Sequence, residues 1–258
     1  SYKLINRKIS FPKTYVLVFF LVCVHIWLDL ITSYGTQLLA PFSRERFSLD
    51  AIFIIDPILT GTLIGFMTMA LLRHSKQSII ALWGLGFMFL YPLASLGTGT
   101  LLETLVHKQY NNQGIRFEEF EFIPAPLTPC YWKIVSRQEN TYTITLANTF
   151  IPGKEYAKIT GTRIDPDFLS ELGQQDSLFA TWGWFARYPV MNSYKTGNGT
   201  DVILDDLRFS SVHPIMTTLF KDREHPPFRL IGHLDSQGKL QSWVFNHSLR
   251  RLFEQAVQ

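Results

Sequence analysis

Apolar positions in this chain gather into three long runs before residue 106; beyond it, short apolar stretches alternate with polar ones. The runs cover residues 14–31, 51–72 and 78–102. A bilayer core takes about 20 helical residues, so each run predicts a membrane helix, at about 14–31, 51–72 and 78–105. Pro92 and Gly97-Thr98-Gly99 are expected to kink or thin the third, and Gly61-x-x-x-Gly65 lets helices approach closely. After residue 110 the pattern turns extended. Residues 131–135 and 141–146 read as strands joined through a polar link, as do 201–209, 228–234 and 240–245, the last two connected by the turn Asp235-Ser-Gln-Gly238. Residues 165–172 and 248–256 read as helices. The predicted fold class is an α-helical membrane region (residues 1–109) followed by an α+β, mainly antiparallel-sheet soluble domain (110–258), whose sheet starts after the linker Pro124-x-Pro126-x-x-Pro129.

Composition sharpens this division. With 47% apolar residues and mean hydropathy +0.08, the chain is too mixed to be wholly embedded. Of 24 Lys and Arg, 8 precede residue 106, against 5 of 21 Asp and Glu, so the later part is neutral and its charges interspersed. No basic stripe is present, which argues against a nucleic-acid partner. Cys23 and Cys130 lie in different surroundings and suggest neither a disulfide framework nor a cysteine metal cluster. A basic start before the first run resembles a signal peptide, but no small-x-small cleavage site follows and two more runs do. The basic residues at the start and in the Arg73-His-Ser-Lys76 link place the N-terminus inside and the chain beyond 105 outside the membrane. In that topology Asp29, Asp56, Glu103 and His107 all reach the outer face.

Candidate chemistry sits at the end of the first run. His25 and Asp29 are four residues apart, so on a helix they share one face and can hold one divalent cation; the competing reading is a polar pair that pins helix packing. Glu103 and His107 repeat the spacing, and a solvated helix end explains them better. Trp182-Gly-Trp-Phe-Ala-Arg-Tyr188 reads as core packing, with docking on a membrane surface as the alternative. No Gly-rich phosphate loop or nucleophile elbow is present.

His25-x-x-x-Asp29-x-x-Thr32-x-Tyr34-Gly35-Thr36, then Leu39-Ala40-Pro41-Phe42, then Asp56-Pro57, resembles the bacterial membrane-bound metal-dependent hydrolases of the YdjM type. The resemblance continues weakly through residues 124–132 and Asp205-Asp206-Leu207-Arg208-Phe209. It implies a divalent metal, zinc first, held by His25 and Asp29, with Asp56 as third ligand or catalytic base. Thr32, Tyr34, Gly35 and Thr36 read as the turn that ends the first helix, with Thr32 and Tyr34 as candidate substrate-binding groups and interfacial anchoring as the other reading of Tyr34. The implied reaction is hydrolysis of an ester or phosphoester of a lipid or membrane-associated substrate, with the lipid bilayer as partner. Members also carry an upstream Pro-Asp-x-Asp-like segment and a His-Arg-Gly…His-Ser segment, and neither is present here. The start at Ser1 rather than Met points to an N-terminally incomplete copy. Two other classes stand beside the hydrolase: a non-enzymatic membrane anchor for an outward β-domain that binds a partner or envelope component, and a proton or ion relay. Asp56 also has a bland reading, as the residue that starts a helix beside Pro57. Substrate and oligomeric state are not legible.

Overall fold

A computed structural model describes residues 11–152, 154, 156–210, 212–213, 216, 218 and 226–246. The chain divides into two units. The first holds the residues up to Leu101 together with Ile123–Trp132; the second holds Leu102–Phe122 and the residues from Lys133 onward.

Three helices open the chain: α1 (Phe11–Leu30), α2 (Pro57–Leu72) and α3 (Gln77–Asn112). None of the 20 residues of α1 is buried, although nearly all are apolar. Such a helix leaves a large apolar surface to be covered by something other than this chain, which suits lipid. Helices α1 and α3 are long and apolar enough to cross a bilayer. At 16 residues α2 falls short of the usual 20, so the described residues give two candidate spans, and α2 is not one of them. The difference lies at residue 56. Asp56 adopts extended backbone (φ −96°, ψ 109°), its side chain accepts from the Leu59 N–H, and Pro57 fixes the first helical position. Residues 51–55 are therefore loop, and the apolar run is not a helix throughout. Helix α3 departs in the other direction: it runs through Pro92 and the Gly97-Thr98-Gly99 stretch without interruption and continues to Asn112.

The core of the first unit lies where the end of α1, the 51–52 loop and the start of α2 meet. Ile31, Ala51, Ile52 and Leu59 are buried there, with Trp27, Leu63, Phe87 and Tyr91 packed around them. The proline-rich stretch 124–129 is part of this unit rather than a linker, because Ala125 and Thr128 are fully buried. Trp132 explains one glycine of α3: a Cβ on Gly99 would come within 2.6 Å of the indole, so only the smallest residue admits the ring.

Two four-stranded sheets follow. The first has the order β1 (Glu119–Pro124), β2 (Tyr131–Gln138), β3 (Thr141–Asn148), β4 (Ile159–Thr162); the second is β5 (Pro189–Thr196), β6 (Gly199–Asp206), β7 (Arg229–Asp235), β8 (Leu240–Asn246). The pairings β3–β4 and β5 through β8 are antiparallel. Strand β1 ends on Pro124, the first of the three prolines, so the sheet starts earlier than the sequence predicts. Between the sheets lie α4 (Pro166–Gln175), capped by Asp165, and α5 (Ser177–Phe185), capped by Asp176. Leu172, Phe179, Trp182, Leu204 and Leu230 form the core between these helices and the second sheet. Trp182 is thus a packing residue, its indole N–H donating to the Phe228 carbonyl at 2.8 Å. The helix read at 248–256 lies outside the described residues.

Candidate functional site

A helix that ends in an apolar medium must find partners for its last carbonyls, because water is not there to supply them. The segment after α1 folds back to do this. The Thr32 N–H and hydroxyl both donate to the Asp29 carbonyl (3.1 and 2.8 Å), Leu49 N–H donates to the Leu30 carbonyl, and the Ala51 and Ile52 N–H groups donate to the Ile31 carbonyl. A two-way bridge between Thr36 and Phe47 closes the loop, and Arg46 reaches the Tyr34 carbonyl at 3.3 Å. Gly35 permits the turn: its φ is +84°, and a Cβ there would lie 2.9 Å from Arg46. This return fixes the residues after α1 against the start of α2.

The product is a cavity of about 700 Å³ whose lining includes His25, Asp29, Thr32, Tyr34 and Asp56. All five residues singled out from the sequence therefore face one space. Its other walls are mostly apolar, with Leu28, Ile52, Ile54, Leu63 and Ile64 among them beside Thr36 and Thr60. His25 Nε2 stands 3.3 Å from Asp29 Oδ2, and the two side chains remain 75% and 53% exposed. The negative end of the α1 dipole lies at the same place, so this end of the cavity favours a cation.

Asp56 behaves differently. It is 2% exposed, its Oδ1 accepts from the Leu59 N–H at 2.8 Å, and its Oδ2 lies 2.9 Å from the Tyr91 hydroxyl. Both oxygens are thus engaged, which matches the helix-start reading. Tyr91 is the residue that sequence reasoning missed. Its signal is the phenol placed in the middle of an apolar helix, where a hydroxyl requires a partner. Thr32 is nearly buried and gives its proton to the Asp29 carbonyl, leaving a lone pair for any ligand. Glu103 and His107 lie in the part of α3 that belongs to the second unit; His107 pairs with Asn111 at 3.0 Å and rests against Phe120.

Two donors 3.3 Å apart fit adjacent positions of one tetrahedral cation, for which bonds of about 2.1 Å give an edge of roughly 3.4 Å. They do not make a whole site. Among the described residues no group of three or more His, Cys, Asp or Glu side chains is placed to hold a metal, so the direct three-ligand arrangement with Asp56 is not formed. Of the remaining histidines, His233 meets Asp201 at 2.7 Å across β6 and β7, and His213 is buried in the second unit.

The first unit thus joins two candidate membrane spans to a cavity with a polar end, and a β-rich second unit follows in the chain. The model of a family described as YdjM inner membrane protein matches residues 2–101, the stretch that supplies every named residue of the cavity. That stretch is similar to the family, whose name indicates an inner membrane protein. No curated protein and no solved structure matches the chain.

Proposed function

We propose that this protein is a membrane-embedded, metal-dependent hydrolase acting on an ester or phosphoester of a lipid or another membrane-associated substrate. The observation that carries the reading is the cavity itself. Its size is that of a small-molecule site, and it joins a cation-favouring polar end to apolar walls, as an amphiphilic substrate requires. His25 and Asp29 would hold two positions of a divalent ion, zinc by preference, with water or substrate at the others. When bound, such an ion supplies a Lewis acid and an acidified water. Tyr34 and the free lone pair of Thr32 orient the polar head of the substrate, while the apolar walls hold its chains. Asp56 serves behind these groups rather than as a ligand.

The finer topology belongs to the same proposal: three crossings, α2 included, with the N-terminus inside and the chain beyond residue 110 outside. A 16-residue helix crosses a bilayer that thins locally around it.

The test is turnover of fluorogenic lipid carboxylesters and phosphodiesters by the full chain in detergent micelles with zinc added. Hydrolysis that falls about 100-fold or more in both His25→Ala and Asp29→Asn, while Glu103→Gln retains it, supports the reading. Absence of turnover on all of them, with both variants as stable as the parent, favours the membrane anchor instead.

A further inference from the structure

The turn that leaves β3 holds two apolar side chains out in solvent. The Asn148 side chain is buried, and its Oδ1 accepts the N–H of both Phe150 (2.8 Å) and Ile151 (3.1 Å). On the return toward β4 the Thr145 hydroxyl donates toward the carbonyls of Tyr156 and Ala157. Between these ties Phe150 is 77% exposed and Ile151 55%, with the exposed Pro152 beside them. A phenyl ring in water costs free energy, and a turn fixed by a buried asparagine denies it the chance to fold back.

The charges and the chain's own course say what covers this tip. From Thr149 to Ile164 the sequence carries Lys154, Lys158 and Arg163 against one acid, Glu155, whereas the part of the chain beyond residue 106 is neutral as a whole. Lys154 and Lys158 are exposed. Apolar side chains flanked by cations match a lipid surface with anionic headgroups. The 36 residues of α3 make a helix of about 54 Å, against a hydrocarbon core of about 30 Å, so the helix leaves the lipid before it ends. Its last turns, from Leu102 to Asn112, belong to the same unit as the loop. That unit is therefore tethered at the membrane surface, where the effective concentration of lipid is high. A protein partner is disfavoured by size, because two side chains cover far less than the roughly 800 Å² per partner of a stable interface.

We propose that the β3–β4 loop is a lipid-docking tip: Phe150 and Ile151 enter the headgroup layer of an anionic bilayer surface, with Lys154 and Lys158 on its phosphates. The docking needs the membrane attachment of the chain and no part of the hydrolase reading.

The test uses the full chain in vesicles of phosphatidylethanolamine and phosphatidylglycerol. Cys23→Ser and Cys130→Ser leave Ile151→Cys as the one site for an environment-sensitive fluorophore. Its emission is expected to be blue-shifted and to be quenched by a nitroxide at the lipid headgroup. Phe150→Asp in the same chain, or phosphatidylcholine in place of phosphatidylglycerol, is expected to weaken the quenching. Phe150→Trp in the otherwise native chain, whose added emission brominated lipid should remove, gives the same reading without any change of cysteine. A label that emits as in water and escapes the nitroxide overturns the proposal. So does quenching indifferent to Phe150→Asp, and so does a blue-shifted label that no lipid quencher reaches, which puts a protein surface over the tip. Docking without hydrolytic turnover leaves this inference standing, and turnover without docking removes it alone.

Discussion

The indole N–H of Trp27 donates to the carbonyl oxygen of Met88 at 3.4 Å, and Met88 is the residue whose helical partner would be residue 92. Pro92 has no N–H to give, so a carbonyl in the middle of α3 is left over, and a residue of α1 takes it. The contact joins the two candidate spans through a defect in one of them.

That relationship can be measured. Trp27→Phe should destabilise the first unit by about 1–2 kcal/mol, the cost of an unpartnered carbonyl beyond any loss of packing. In a Pro92→Ala background the helix supplies its own N–H to Met88, and the cost of Trp27→Phe should shrink. A double-mutant cycle read by unfolding of the full chain in detergent decides it: additive costs contradict the account.

Lys133, on β2, is buried, with its ammonium donating to the Arg208 carbonyl at 2.7 Å. Burial pulls it down to about 8; Arg208 adds to this, while Asp206 opposes it. The unfolded chain keeps the ordinary lysine value of about 10.4, so above pH 8 the unfolded state binds more protons and stability rises with pH. Below pH 8 both states are charged and the cost is constant. From pH 8 to 10 the gain should be at most about 2 kcal/mol. Tyr142 is pushed up to about 12 by burial and by the Glu119 carboxylate, which reverses the trend above pH 10 and confines the reading to that window. Denaturant unfolding followed by tryptophan fluorescence should show stability changing with pH between 8 and 10 more favourably in the parent than in Lys133→Met. An equal slope in both excludes Lys133 as its source.

Orientation is open to protease treatment of intact cells. With the second unit outside, the part of the chain after residue 110 should be cut without opening the membrane. Protection until the membrane is opened reverses the topology, and with it the depth assigned to the cavity.

Much of this was legible from residue patterns, for identifiable reasons. His25 and Asp29 meet because a four-residue spacing on a helix leaves little choice, and α4 starts where Asp165 and Pro166 say it should. The turn at Gly238 (φ +80°) is likewise local chemistry. What escaped depends on the third dimension. The Asp56 cap beside Pro57 was itself a sequence reading, yet hydropathy alone runs the apolar stretch through it as continuous. The extent of α3 was hidden by Glu103 and His107, which look like a helix end at the headgroups. Strand β1 alternates charged and aromatic residues, yet it runs into prolines that read as a boundary. Tyr91 is a partner of Asp56 from 35 residues away, and no spacing rule covers that distance.

The central claim is that His25 and Asp29 hold a divalent cation at the polar end of the cavity. The full chain, purified without chelator and re-equilibrated with zinc in detergent, should retain bound metal by elemental analysis. Retention should weaken as pH falls, because a ligand must give up its proton to bind. His25→Ala and Asp29→Asn should each lose the metal, whereas His107→Ala and Glu103→Gln should keep it. Metal retained equally by His25→Ala and the parent would contradict the account.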